Sequence, residues 1–255
     1  MTFRTFNTFK TFRTLLKNEL KMSFRGMDML IFALIMPLVV LVILGLVFGQ
    51  KSAFEGAPYT FLEQSFGALC TISICAGGVM GLPLVISDYR AKHILKCWQV
   101  TPVSPSLVLA VEVSMYALYA LASLVSLFIA AFCFFGFKMK GSFALFLAGY
   151  FLVMLTMFSI GMMAGGVSKN PKTAGIIASL LYFPMLIFSG ATLPYEIMPA
   201  TLQKISDILP LTQGIKILKN SVLGLAPGNV IAPVIVMILI TTVCSAITVK
   251  FFKWE

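Results

Sequence analysis

An all-α integral membrane protein with six transmembrane helices is the fold class this sequence predicts, and three observations predict it. Of 255 residues, 59% are hydrophobic and only 11% charged, and the mean hydropathy is +0.99, far from the balance of a soluble globule. Six stretches free of Asp, Glu, Lys and Arg are long enough to cross a hydrocarbon core of roughly 30 Å, which takes about 20 helical residues. None alternates with a period of two, and lipid offers the backbone no partner, so helices rather than a barrel satisfy the main chain.

Taken in order, the chain reads as one transmembrane domain over residues 1–255, beginning with an arm and helix over 1–28. Phe3, Phe6, Phe9 and Phe12 recur every three residues with Arg4, Lys10 and Arg13 between them. A spacing of three winds around a 3.6-residue helix, so the arm is expected to be only partly helical. From Leu15 the pattern improves, with Leu16 and Leu20 one turn apart beside Lys17 and Lys21, as in an amphipathic helix lying in the headgroup layer. The alternative is a plain basic flank that fixes topology.

The spans are expected at 29–49, 65–87, 107–137, 141–168, 173–195 and 230–249, the third beginning near Leu107 only if Glu112 is tolerated. An ionisable group inside a span costs roughly 3 kcal/mol at the bilayer centre and is a functional candidate by default. Near the entrance to its span, Glu112 can reach interfacial water or a basic group on a neighbouring helix.

Between spans two and three, residues 88–102 form the longest connection on that side. Ile94, Leu95, Trp98 and Tyr89 suit one face of a short helix; Arg90, Lys92, Lys96 and Gln99 suit the other. Thr101-Pro102 ends it, because proline disfavours a helical predecessor. His93 has no carboxylate or cysteine cluster beside it. Residues 196–228 are too apolar for a free loop and too broken to span, so a short outer re-entrant helix pair is expected. Pro199 would open the first, Leu202, Ile205 and Leu209 would share a face, and Pro210 would stop it. Thr212 would then cap a second helix carrying Ile215, Leu218 and Val222 before Gly224.

Basic residues set the orientation. With the N-terminus inside, 13 of the 19 Lys and Arg fall on the cytoplasmic side, leaving Lys51, Lys138, Lys140, Lys204, Lys216 and Lys219 outside, so both termini are expected to be cytoplasmic. The net charge of +10 then reads as topology and contact with anionic lipid, not nucleic-acid binding. The first span serves as its own insertion signal, with no cleavable leader expected. Cys70, Cys75, Cys97, Cys133 and Cys244 are odd in number and scattered, which argues against a disulfide framework or a zinc site.

No Gly-Lys dipeptide occurs, so no phosphate-cradling Walker A loop can form and the chain is not expected to hydrolyse ATP. A single histidine leaves nucleophilic or metal catalysis short of partners. An enzyme activity in this chain is not expected.

Residues Phe188-Ser-Gly-Ala-Thr-Leu-Pro194, Glu196, Met198-Pro199, Leu209-Pro210-Leu211-Thr212 and Leu218 to Gly224, with Thr101-Pro-Val-Ser104 closing the earlier loop, follow one another around six spans. In this order the chain resembles the membrane subunit of ABC transporters of the type 2 permease class, bacterial exporters of drugs, peptides and polysaccharides. Three positions depart from the family pattern: Asp88-Tyr89-Arg90 stands where an acidic-basic-acidic triplet is common, Lys219 where Arg is common, and Glu112 where many relatives have Lys. The resemblance implies two paired permease chains, identical or homologous, in a bacterial inner membrane. Two copies of a separate nucleotide-binding ATPase subunit would hold ATP and Mg. It further implies ATPase coupling through a cytoplasmic coupling helix with Asp88, Tyr89, Arg90, Lys92, Leu95, Trp98 and Gln99. A translocation path past Gly77, Gly81, Phe183 and Phe188 would carry a drug, antimicrobial peptide, lipid or glycan. A lipid-facing position or core packing reads at least as well for Phe183 and Phe188. The rival classes are an ion-coupled secondary carrier, which fits poorly without broken helices in symmetric halves, and a membrane-embedded enzyme, which lacks a polar cluster.

Overall fold

The computed structural model describes residues 8–27, 30–49, 51–53, 58–92, 94, 104–190, 195, 198–225 and 230–251. Nine helices occur among them. Six are long and apolar enough to cross a membrane: α2 (Ile31–Phe48), α3 (Phe61–Ala91), α4 (Pro105–Phe135), α5 (Phe143–Val167), α6 (Pro171–Phe188) and α9 (Ile231–Phe251). The others are α1 (Thr8–Gly26), α7 (Ala200–Ser206) and α8 (Pro210–Leu223).

Helix α1 starts before the point where the leucine pattern improves, and takes in Phe9 and Phe12. Thr11, Phe12, Leu15, Leu16, Glu19, Leu20 and Ser23 are its half-buried positions, spaced by three and four as one face of a helix requires. That face packs on α4, where the Tyr119 hydroxyl meets Ser23 Oγ at 2.9 Å.

Two spans are not uniform. Over Ile31–Ile35 in α2 and Ala76–Gly81 in α3 the ladder widens to i→i+5 bonding, and each widening sits just ahead of a proline, Pro37 and Pro83. Proline has no N–H, so its i−4 carbonyl loses a partner. For Pro37 that carbonyl belongs to Ala33, and Ser73 of α3 donates to it at 2.6 Å. A neighbouring helix thus restores a bond that lipid could not.

α3 is the centre of the bundle: 78% of its most apolar stretch is buried, against 17% for α6 and for α9. It is longer than the charge-free run 65–87 because charged residues at both ends find partners. At the first end Thr60 and Glu63 form a reciprocal capping box, and Lys140 meets Glu63 at 3.1 Å while donating to the Pro58 carbonyl. Aromatic rings fill the space beside it, with Phe66 stacked on Phe137 at 4.4 Å and edge-on to Phe128 at 4.8 Å. α4 likewise begins ahead of Glu112, capped by Ser104, which accepts from Leu107 N at 3.3 Å.

The segment before the last span does contain two short helices, with a different punctuation. Pro210 opens α8 at its first position instead of closing α7, because the missing proline N–H is one that a helix start leaves unbonded anyway. Thr212 is therefore inside α8, buried, and Gly224 closes the helix at φ +67°. α8 packs against α3, α5 and α9. The α6 helix stops at Phe188, short of Tyr195, where the Ser206 hydroxyl takes the Phe188 carbonyl.

The tightest contact joins α3 to α5. Gly161 meets the Gly78 carbonyl so closely that a Cβ at Gly161 has no room, and a Cβ at Gly165 would stand 3.0 Å from Pro83 Cα. Small residues allow such backbone approach, the main source of helix association in lipid. Gly161→Ala is expected to lower thermal stability in detergent by about 1–3 kcal/mol, the usual cost of overpacking. Gly175→Ala, where the new Cβ would lie 3.5 Å from Leu84 Cδ2, is expected to leave it unchanged. Equal melting curves for the two variants would rule out the close α3–α5 contact.

Candidate functional site

Four helix ends meet at one end of the bundle: the last turns of α3 and α5, and the first of α4 and α6, with α1 laid across them. At the end of α3 successive side chains point about 100° apart, so Asp88, Tyr89 and Arg90 go three ways. Asp88 pairs with Lys92 at 2.8 Å on the exposed side, an i,i+4 pair worth only a few tenths of a kcal/mol. Tyr89 turns inward and donates to Glu112 Oε1 of α4 at 2.7 Å.

Arg90 is buried. Its Nη1 donates to the carbonyls of Gly166 at 3.1 Å and Ser168 at 2.6 Å, at the C-terminal end of α5. The last carbonyls of a helix lack intrahelical partners and carry the negative end of its dipole. A guanidinium there fastens α3 to α5 in an environment that favours its charge.

Glu112 is 1% exposed. It lies about 10 Å along α4 from Pro105 at 1.5 Å per residue. Its partner is a phenol rather than a basic group. The Glu19 carboxyl of α1 lies near both Tyr89 and Glu112. Together these groups line a cavity of about 470 Å³ between α1, α3, α4 and the first residue of α6.

A second, open and almost wholly apolar groove of about 640 Å³ runs between α3 and α6, lined by Met80, Leu84, Ile176, Phe183 and Pro184 with Lys172 at its rim. Of the positions read as a translocation path, Phe183 lies in this groove. Gly77 and Gly81 sit in the widened turns of α3, buried, with Gly77 against the Tyr116 ring. Phe188 ends α6 at the other end of the bundle. Leu95, Trp98, Gln99 and His93 lie outside the described residues.

Sequence reasoning passed over Glu19, an acidic residue in a basic arm, and the pairing of Tyr89 with Glu112. The one available signal for Glu19 is its register with Phe12, Leu16 and Ser23 on the inner face of α1.

This is the geometry of a multi-pass helical membrane domain whose helix ends are locked together on one side. The sequence profile of the family described as ABC-2 type transporter matches residues 10–223, and the chain belongs to that family, whose domain is the non-catalytic transmembrane component of ABC transporters. A stretch of 77 residues is 31% identical to the inner membrane transport permease YhhJ of Escherichia coli (strain K12), and equally to that of Shigella flexneri. That stretch is 30% of this chain and 21% of each relative, so the chain matches about a fifth of their length.

Replacing Arg90 by Met is expected to destabilise the domain by about 2–3 kcal/mol, since hydrogen bonds to a charged group are worth about 1.5–3 kcal/mol and the α5 carbonyls stay buried without it. Lys92→Ala should change stability by less than about 0.5 kcal/mol. Thermal unfolding of both variants in one detergent checks the pair; a Lys92 effect as large as that of Arg90 would refute the clamp.

Proposed function

We propose that this chain is the permease subunit of an ATP-driven exporter, moving a hydrophobic or amphipathic cargo while a separate subunit hydrolyses ATP. The observation that carries the reading is the clamp at the end of α3 in a chain of the ABC-2 family, whose permeases generally pair with ATPase subunits. Arg90 and Tyr89 tie the turn that leads into residues 93–102 to α5 and α4. A push delivered on that segment is passed to three membrane helices at once.

In this reading residues 88–102 form the coupling loop, with Asp88, Lys92, Leu95, Trp98 and Gln99 meeting the ATPase. Arg90 and Tyr89 transmit the load inward. Both termini are cytoplasmic, α1 lies in the inner headgroup layer, and α7 and α8 cap the outer end. Two permease chains and two ATPase copies make the complex, and binding of ATP by the ATPases biases a two-state change of the permease pair. The open apolar groove between α3 and α6, with Phe183 in it, suits the wall of the path better than the buried Gly77 and Gly81, which serve helix packing.

Gentle detergent extraction of this chain from its native membrane is expected to bring with it a Walker A ATPase in near-equal ratio, read by mass spectrometry. In reconstituted vesicles, Arg90→Met should reduce transport-linked ATP hydrolysis at least fivefold at temperatures where the variant remains folded. A chain that purifies alone from intact membranes would overturn the reading in favour of an ion-coupled carrier.

A further inference from the structure

The cavity beside Glu112 has a composition that packing does not explain. Three carboxyl groups line it, Glu19, Asp88 and Glu112, and no Lys or Arg among the described residues does. Asp88 is engaged at the rim by Lys92. Glu112 makes no ion pair among the described residues, and its Oε2 is buried without a hydrogen-bond partner. A buried acceptor oxygen left unserved costs about 1–3 kcal/mol, more when charged, and the residue that carries it lines the cavity.

The remaining walls narrow the ligand. Tyr89 and Tyr116 supply aromatic faces, and Met22 and Met115 supply polarisable thioethers, surfaces that attract a cation without hydrating it. An anion would meet three carboxyl groups. No group of three carboxylate, His or Cys side chains among the described residues could hold a metal ion, so a small hard cation lacks its ligand set. The volume, about 470 Å³, falls in the range of roughly 300–1,000 Å³ that holds drug-sized molecules.

We propose that this cavity is a binding site for a bulky organic cation, with Glu112 as counter-charge, the tyrosine rings and methionines as apolar walls, and Glu19 as a second carboxyl from the α1 side. The cation would enter between α1 and the ends of α3 and α4. The inference deepens the exporter reading by naming a class of cargo or modulator, yet its test needs no ATPase.

The full-length chain in lipid nanodiscs is titrated with radiolabelled tetraphenylphosphonium. Saturable binding is expected, weakened at least tenfold by Glu112→Gln, threefold or more by Glu19→Gln, and little by Glu112→Asp. Neutral triphenylphosphine oxide should bind wild type and Glu112→Gln alike. If the Gln variant does not fold, an azido-tetraphenylphosphonium photolabel on the wild-type chain decides instead, with label expected on peptides carrying Met22 or Met115 and Tyr116. Absence of saturable binding, binding unchanged in Glu112→Gln, or label confined to the Phe183 groove would overturn the proposal. Cation binding by a chain that brings no ATPase from its membrane would support the site and remove only the ATP-driven reading.

Discussion

Lipid is as apolar as leucine, so no solvent drives these helices together, and the bundle depends on how closely α3 can approach α5. Where Gly78 faces Gly161 the two backbones touch, and dispersion over that contact replaces the hydrophobic drive of a soluble core. α3 then becomes a post around which the others stand. Its first half receives α8, its widened middle receives α5 and α6, and Ser73 satisfies the proline-freed carbonyl of α2. A side chain at position 161 would separate the post from its main support, and each of those secondary contacts would shift with it.

The same requirement explains the polar residues. In a medium that solvates no polar group, each must be answered from within the protein. At one end of α3 the buried Glu63 is answered by the Thr60 backbone and Lys140. At the other end Arg90 answers the carbonyls that α5 leaves open, and Tyr89 answers half of Glu112. Within the bundle Thr156 meets Thr241 at 2.8 Å, and the Tyr150 hydroxyl reaches the Ala120 carbonyl at 2.7 Å. Against that pattern, Glu112 Oε2 stands out as a buried acceptor without a hydrogen-bond partner among the described residues.

How much was legible in the sequence follows from the same physics. Membrane spans are set by composition over about 20 residues, so their number and order could be read without knowing any contact. Helix ends could not, because Glu63, Asp88 and Arg90 look like span terminators until their partners are known. Pro210 was ambiguous locally, since proline both ends one helix and begins another; burial of α8 decided for the beginning. Pro37 and Pro83 did carry a signal for widened turns that reading by charge alone ignored. The Tyr89–Glu112 pair spans two helices with no local pattern linking them, and Glu19 was masked by the basic residues around it.

α3 is tied down at its two ends by different means and different partners. Its first end is held by a capping box and Lys140, its last by Arg90 on α5 and Tyr89 on α4. Between them lies the one stretch, Ala76–Gly81, where the ladder is already widened and Pro83 has removed a rung. Straight helical segments resist bending because every turn carries its full set of hydrogen bonds, and kinks form where a rung is missing. Ala76–Gly81 is therefore the stretch of α3 with fewest regular rungs, and it is held against α5 by the Gly78–Gly161 contact. The open groove at Met80, Leu84 and Phe183 borders that same stretch.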